Sequence, residues 1–266
     1  MSSATTTAGY QVMARTYDMF LNDHREWFQQ IRASILAYIL PSAKTVCDVG
    51  CGTGHTAISI AKQATTKVFA VDASSEMCRQ AQDNAKKADV QVSVMQADMR
   101  SFQLPEPADL VLAEFDVLNH LDDKSSLATV AENVNRALNP EGYFYFDVNT
   151  NKIFQTAWPQ MKGFSEQDDT IFVPRGGYDA ERDKGWFVAE YFIRDGSHWR
   201  RVNEKLEQVW WPPEEIRSTL EQAGFRIVRV MDSNEMKMNG KGVLPPGFVV
   251  FYLAQKISDV KSIPAA

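Results

Sequence analysis

The stretch VCDVGCGTGHTAISIA, residues 46–61, decides the fold. A short β-rich run leads into glycines at 50, 52 and 54, and the helix-like pattern HTAISIAKQA follows them. In an open parallel sheet the ligand sits beyond the carboxyl ends of the strands, and the first strand-to-helix turn is where backbone meets it. Gly50, Gly52 and Gly54 free that turn for unusual φ/ψ and remove the Cβ atoms that would hold a ligand away. The helix then points its positive end and unpaired N–H groups at the same place. By itself the G-x-G-x-G spacing is a weak signal, also compatible with a tight turn that binds nothing.

Outward from this turn the rhythm is regular. KVFAVDAS reads as a strand, SEMCRQAQDNAKKA as a helix, VQVSVMQAD and ADLVLAEFD as strands, SSLATVAENVNRAL as a helix and GYFYFDVN as a strand. Such alternation means βαβ units and a doubly wound α/β fold around a mostly parallel sheet. Upstream, apolar residues at helical spacing (Ile31, Ile35, Leu36, Ile39) predict one or two helices between Tyr10 and Leu40, ended by Pro41.

After Asn151 the grammar changes. TIFVP, GWFVAEYFIRD and HWRRVNEKLEQVWW read as strands joined by RGGYDAERDKG and DGS, with Asp195-Gly196 as a hairpin signal. Roughly 40 residues bury too little core to stand alone, so this antiparallel sheet is an insertion. PPEEIRSTLEQAGF then starts a helix with proline and stops it at glycine, and RIVRVMDSN and GFVVFYLAQK are the last two strands. Residues 1–8 and the end SDVKSIPAA have nothing to pack and are expected to be disordered.

Composition narrows the function. With 266 residues, 44% hydrophobic and 23% charged, the chain can bury one full core. No run of eighteen apolar residues and no signal-peptide pattern is present, so the expectation is a cytoplasmic protein off the membrane. A formal charge of −6 argues against a general nucleic-acid surface. Cys47, Cys51 and Cys78 are an odd set without C-x-x-C spacing or nearby histidines, which supports neither a disulfide framework nor a zinc site. They are read as buried or idle thiols, and no metal is expected.

The cofactor class comes from Asp72 and Asp48. Asp72 closes the second strand about 20 residues past the glycines, where an acid accepts hydrogen bonds from ribose hydroxyls. That leaves dinucleotides and S-adenosylmethionine. The dinucleotide fingerprint is G-x-G-x-x-G, whereas here the third glycine comes one residue early and Asp48 stands two residues before the first. A carboxylate there repels a pyrophosphate and suits an ammonium group, which favours S-adenosylmethionine.

Over residues 45–148 the sequence resembles the class I S-adenosylmethionine-dependent methyltransferases. VCDVGCGTG is similar to that family's first motif, VDAS to its second-strand acidic position, QADMRSF to the segment after its third strand, and LNPEG with GYFYFDVN to its L-x-P-G turn and following strand. The resemblance implies a seven-stranded sheet ending in a reversed hairpin. It also implies that Gly50, Gly52 and Gly54 line the methionine portion, Asp72 binds the ribose, and Ala73 and Met77 pack on the adenine. Asp98 and Met99 meet its amino edge, while Glu114 and Phe115 approach the sulfonium. ARTYDMF is similar to a segment that closes over the cofactor in small-molecule members, which makes Tyr17 a lid residue. The organisation read this way is a helical lid (1–40), a cofactor-binding core (41–150), an antiparallel insertion on the acceptor side (151–212), the last helix and strands (213–256) and a tail (257–266).

Methyl transfer needs alignment and exclusion of water more than covalent catalysis. An amine acceptor must be neutral, and a hydroxyl acceptor needs a base. His120, just beyond the fourth strand, is the candidate base or acceptor-positioning residue, with capping or pairing to Asp122 or Asp123 as its alternative. Asn119 is a candidate acceptor contact or a turn-shaping residue. Among the insertion's aromatics, Tyr191 and Trp210 are assigned to the acceptor wall, although a packed sheet face accounts for most such residues. Arg182, Arg194, Arg200 and Arg201 could meet an anionic acceptor, but an exposed sheet face is the commoner use of such charge.

The sequence reading is therefore a small-molecule methyltransferase, with nitrogen slightly preferred over oxygen because no clear base or metal triad appears. The alternative is a methyltransferase-fold protein acting on RNA or protein, or a non-catalytic adenosylmethionine-binding partner. A nicotinamide-dependent oxidoreductase is weakened by the glycine spacing. Oligomeric state stays open, a homodimer included.

Overall fold

The computed structural model describes residues 14, 17, 18, 22–63, 66–232 and 244–257. The expected disorder of residues 1–8, the end SDVKSIPAA and most of the N-terminal 21 residues lie outside the described residues. Helix α1 (Asn22–Ile35) is followed by β1 (Thr45–Val49), α2 (His55–Gln63), β2 (Lys67–Asp72), α3 (Ser75–Lys87), β3 (Ser93–Gln96), β4 (Ala108–Ala113), a 3-10 turn (Val117–His120), α4 (Lys124–Ala137) and β5 (Leu138–Asn149). A short helix α5 (Asn151–Thr156) leads to β6 (Ser165–Gln167), β7 (Thr170–Asp179), β8 (Lys184–Asp195) and β9 (His198–Val209). Then come α6 (Pro213–Gln222), β10 (Phe225–Asp232) and β11 (Val249–Lys256).

One sheet has the order β10-β11-β5-β4-β1-β2-β3, parallel except that β11 runs antiparallel to both β5 and β10. Alternation along its strands explains why it is buried on both faces. Cys47, Val49, Phe69, Val71, Val111 and Phe144 pack with Leu127 and Val130 of α4 and Ile216 and Leu220 of α6. Val46, Val68, Ala70, Leu110 and Leu112 face the other way, onto Trp27 and Ile31 of α1 and Ala57 and Ile60 of α2. This is the doubly wound, mostly parallel methyltransferase-type sheet, with the separate antiparallel sheet β6-β7-β8-β9 attached.

Local signals set several element ends. Ser74 accepts a hydrogen bond from the Met77 N–H at the start of α3, and Asp123 does the same for Ser126 at the start of α4. Gly224, at φ +83°, turns the chain after α6. All three cysteines are buried and unbridged.

Two expectations change. The pattern expected to stay helical to Leu40 is regular only to Ile35, and residues 36–42 form successive turns. Pro41 has no N–H with which to extend a helix. The segment RGGYDAERDKG, expected to be a connection, is strand through Asp179, with Gly176 paired to Phe187 and Gly177 to Trp186. The glycines are needed there by neighbours: a Cβ on Gly177 would lie 2.5 Å from the Trp186 ring, and one on Gly176 would lie 3.1 Å from Trp158.

The insertion packs on the core through α5 and the loop after β4. Gly185 of β8 lies against Phe154 of α5, and Ala189 and Tyr191 form a small cluster with Phe172, Phe187, Leu206 and Tyr17. Four of its arginines are paired, Arg182 to Glu207, Arg201 and Arg175 to Glu190, and Arg194 to Asp169. No helix among the described residues is long and apolar enough to cross a membrane.

Candidate active site

A cavity opens at the carboxyl ends of β1, β2 and β4. Tyr17, Asp48, Gly50, Gly52, Asp72, Ala73, Met77, Asp98, Met99, Glu114, Phe115 and His120 all line it. Twelve positions spread over more than a hundred residues are thus brought together by the topology of the sheet.

The glycine turn forms one wall. Gly50 sits at φ +69°, and a Cβ there would come within 2.6 Å of the Val117 methyl groups, so no other residue fits. Gly52, at φ +52°, has only Tyr17 at 4.0 Å from such a Cβ, which leaves an open cradle on the cavity side. Asp72 closes the turn from β2, with the Gly52 N–H donating to Oδ2 at 2.9 Å and the Ser74 N–H to Oδ1 at 2.8 Å. Burial pushes its carboxyl above the usual range, opposed by those hydrogen bonds.

The floor is charged. Asp48, Glu114 and Arg32 share one buried region, where Arg32 Nη1 donates to Glu114 Oε2, which also accepts from Thr56 Oγ1 at 2.8 Å. Glu114 Oε1 is buried without a hydrogen-bond partner. Asp48 accepts from the Ala57 N–H at 3.2 Å, and burial together with the Glu114 charge pushes its carboxyl up to about 8. Between about pH 4 and pH 8 the folded chain therefore keeps a proton on Asp48 that the unfolded chain has released. Stability falls with rising pH across that window, by up to about 1.4 kcal/mol per unit, and levels off on either side. Asp48→Asn is expected to flatten the decline of melting temperature between about pH 5 and pH 8, leaving the share due to Asp147, whose buried carboxyl is also raised. A variant with the wild-type slope would overturn the assignment.

The loop after β4 is held by Asp147 of β5. Phe115 and Asp116 are consecutive left-handed residues, at φ 65° and 54°, a conformation costing about 1–2 kcal/mol each. Both of their N–H groups donate to the Asp147 carboxylate, at 2.7 and 2.8 Å, which offsets that cost. Phe115 stacks on Phe28 of α1 with ring centroids 4.1 Å apart. On the far wall, Arg100 holds the Asp98 carboxyl below its ordinary value through hydrogen bonds to both oxygens.

Tyr17 is fastened over the glycine turn by its neighbour. The Asp18 carboxylate accepts from Thr53 Oγ1 at 2.6 Å, Arg25 Nη2 at 2.5 Å and Asn84 Nδ2 at 3.3 Å. Burial raises this carboxyl, but hydrogen bonds from His55, Thr53 and Arg25 more than offset it and hold it well below the usual range.

Four candidate residues do not line the cavity. Gly54 lies behind the turn, where a Cβ would be 3.0 Å from Ala81 Cβ, so its smallness serves the packing of α2 on α3. Asn119 is fully buried and its amide is spent on backbone: Nδ2 donates to the Asn149 and Val209 carbonyls, and Oδ1 accepts from the Asn149 N–H. It takes the turn-shaping alternative. Tyr191 is buried in the insertion sheet, stacked on Phe172. Trp210 packs against the core cluster under α1.

Sequence reading missed Arg32, Asp147 and Gln208. Arg32 stands on the apolar face of α1 with Phe28, Ile31 and Ile35, and Asp147 interrupts an apolar strand; a charge inside a buried pattern is the signal for both. Gln208 of β9, buried, carries no local signal. Its Nε2 donates to Asp116 Oδ2 and lies 3.0 Å from His120 Nε2, and its Oε1 accepts from Asn149 Nδ2 at 3.0 Å. With Asn119 and the Trp211 Nε1–H bond to the Leu118 carbonyl at 2.8 Å, it staples the insertion to the loop after β4.

Residues 46–142 match the family model described as a methyltransferase domain. The match spans the cofactor-binding core and identifies a methyltransferase domain there. This methyltransferase is 27% identical to YqeM of Bacillus subtilis over 224 residues, 83% of this chain and 88% of that one. It is similar to an S-adenosylmethionine-dependent methyltransferase of Clostridium acetobutylicum, with TM-score 0.74, 20% identity and coverage of 94% and 99% of the two chains. It is also similar to the S-adenosylmethionine-bound amino pentose methyltransferase CalS10 of Micromonospora echinaspora, with TM-score 0.67, 16% identity and coverage of 92% and 97%.

The cofactor is S-adenosylmethionine, and the cavity suits it. The open cradle at Gly52 admits a ligand against backbone, and the orphaned Glu114 Oε1 offers an acceptor for a cationic group. A pyrophosphate at the glycine turn would instead meet the Asp48 and Glu114 side chains.

Proposed function

We propose that this methyltransferase acts on a small-molecule acceptor, and on an amine nitrogen in preference to a hydroxyl oxygen. The observation that carries the reading is the cover over the cavity. Tyr17 covers the glycine turn, and the insertion is stapled to the loop that bears Phe115, Asp116 and His120. A covered cavity of this kind suits a small acceptor better than a folded protein or an RNA. The correspondence with the amino pentose methyltransferase over 92% of this chain supports the same reading.

Bound S-adenosylmethionine supplies an already activated methyl group. Gly50 and Gly52 admit its methionine portion, with Asp48 and Glu114 as the carboxylates beneath. Asp72 receives the ribose hydroxyls, Ala73 and Met77 flank the adenine, and Asp98 and Met99 lie at its amino edge. Tyr17 and Phe115 close the reacting end from water. The insertion, residues 151–212, forms the acceptor side, and His120 positions the acceptor.

The test is methyl transfer, followed by mass spectrometry, to panels of amino sugars and other amines, hydroxyl compounds and carboxylic acids, with protein and RNA as separate arms. Product from the protein or RNA arm alone would overturn the reading. His120→Ala is expected to slow transfer about 10- to 100-fold while the cofactor dissociation constant changes little. Turnover at the wild-type rate would return His120 to a structural role.

A further inference from the structure

Gln208 comes from the insertion, yet its amide ends between Asp116 and His120 of the loop after β4. We propose that Gln208 is a positioning residue that holds His120 as a neutral ring with its hydrogen on Nδ1, so that the site takes an amine, which needs no base. The inference rests on the small-molecule reading above and adds the residue that decides the acceptor atom.

The direction of each hydrogen bond follows from what the partners can do. The Asp116 carboxylate only accepts, so the Gln208 amide nitrogen must face it. Turning the amide over would set Oε1 against that carboxylate and Nε2 against the Asn149 Nδ2 group now donating to Oε1 at 3.0 Å. Two repulsive contacts in a buried place exclude that state. With the nitrogen fixed, its second hydrogen faces His120 Nε2 at 3.0 Å, nearer than the Asp116 Oδ2 at 3.5 Å, and that atom presents its lone pair. The single hydrogen of the neutral imidazole is then on Nδ1.

A base works through a lone pair, and the ring nitrogen that has one is already taken. Tyr17 does not replace it, because burial and the Asp116 carboxylate hold its phenol protonated. A hydroxyl acceptor, which must lose its proton as it is methylated, is therefore poorly served. A neutral amine is not: its lone pair forms the N–C bond as the C–S bond breaks, the electron pair of that bond stays on sulfur, and the resulting ammonium gives its proton to water afterwards. A carboxylic acid also reacts without a base, but its anion would meet Asp116 beside His120 and Asp122 on the cavity wall.

Nitrogen-15 labelling of the four histidines, with His120 assigned through His120→Gln, reads the tautomer directly from the imidazole shifts. In the wild type Nδ1 should be protonated and Nε2 not. Gln208→Glu replaces the donor by an acceptor of the same shape and should move the hydrogen to Nε2, and Gln208→Leu should give a mixture. A cooperative thermal transition establishes that each variant is folded. Protonated Nε2 in the wild type, or a Gln208→Glu variant with the wild-type tautomer, overturns the role of Gln208. Transfer to hydroxyl compounds or carboxylic acids but not amines overturns the acceptor assignment. Failure of the small-molecule reading looks different, as transfer to protein or RNA with the Nδ1 tautomer intact.

Discussion

Replacing Asp72 by alanine is expected to weaken S-adenosylmethionine binding by roughly two to four orders of magnitude. A carboxylate at the end of β2 that accepts from two ribose hydroxyls makes two charge-assisted hydrogen bonds, each worth about 1.5–3 kcal/mol, and tenfold in affinity is about 1.4 kcal/mol. The same carboxylate already accepts from the N–H groups of Gly52 and Ser74, so its loss also loosens the turn that shapes the cavity. Asp72→Asn keeps an acceptor oxygen and is expected to lose less. Isothermal titration with S-adenosylmethionine and S-adenosylhomocysteine measures both, and the two ligands should weaken together because they share the ribose. Unchanged affinity in Asp72→Ala would remove the ribose contact from the proposal.

The second large effect is on stability. Arg32→Leu should destabilise the fold by about 3–5 kcal/mol, because it leaves the Glu114 carboxylate buried without its cation. For a chain of this length that corresponds to a fall in melting temperature of roughly 6–20 °C. Arg32 also reaches Thr56 Oγ1 at 3.3 Å and Ser59 Oγ at 3.4 Å, so α1 loses part of its attachment to α2. Charge and packing separate in the double variant Arg32→Leu/Glu114→Met, which should recover much of the loss, since an apolar pair of similar volume needs no ion pairing. Calorimetry of the unliganded protein decides the matter. A loss below about 1 kcal/mol in the single variant would mean that the carboxylate finds another partner or holds a proton.

The two effects fall on different parts of the molecule for one reason. Asp72 faces the cavity from the end of β2, so its loss is expected to fall on the ligand more than on the fold. Arg32 lies beneath the cavity, where its charge is needed whether or not a ligand is bound.

What could be read in the chain was whatever is written in consecutive residues. The period of apolar side chains located β1, β2, β4 and β5 and the helices between them. The spacing Gly50, Gly52, Gly54, with Asp72 closing the next strand, placed the turn and one side of its ligand. Asp195-Gly196 fixed a hairpin, and Pro213 with Gly224 bracketed α6. These are local conformational constraints, and a sequence carries them without reference to the rest of the chain.

Tertiary structure decided the rest, because it depends on which side chains share a buried volume. Gly54 reads like its neighbours but faces Ala81 rather than the cavity. Asn119 reads as a polar residue beside the site, yet three backbone groups consume its amide. Gly176 and Gly177 read as a turn and are strand, because Trp158 and Trp186 occupy the space of their missing side chains. Gln208 stands 88 positions from His120, and nothing in LEQVWW announces that its amide will set the imidazole's hydrogen. By itself, then, the sequence determined the sheet, the turn and the cofactor class, which rest on neighbours in the chain. Only the fold decided the partners of Arg32, Asp147 and Gln208, since the cost of burying a polar group is settled by whatever the chain brings beside it.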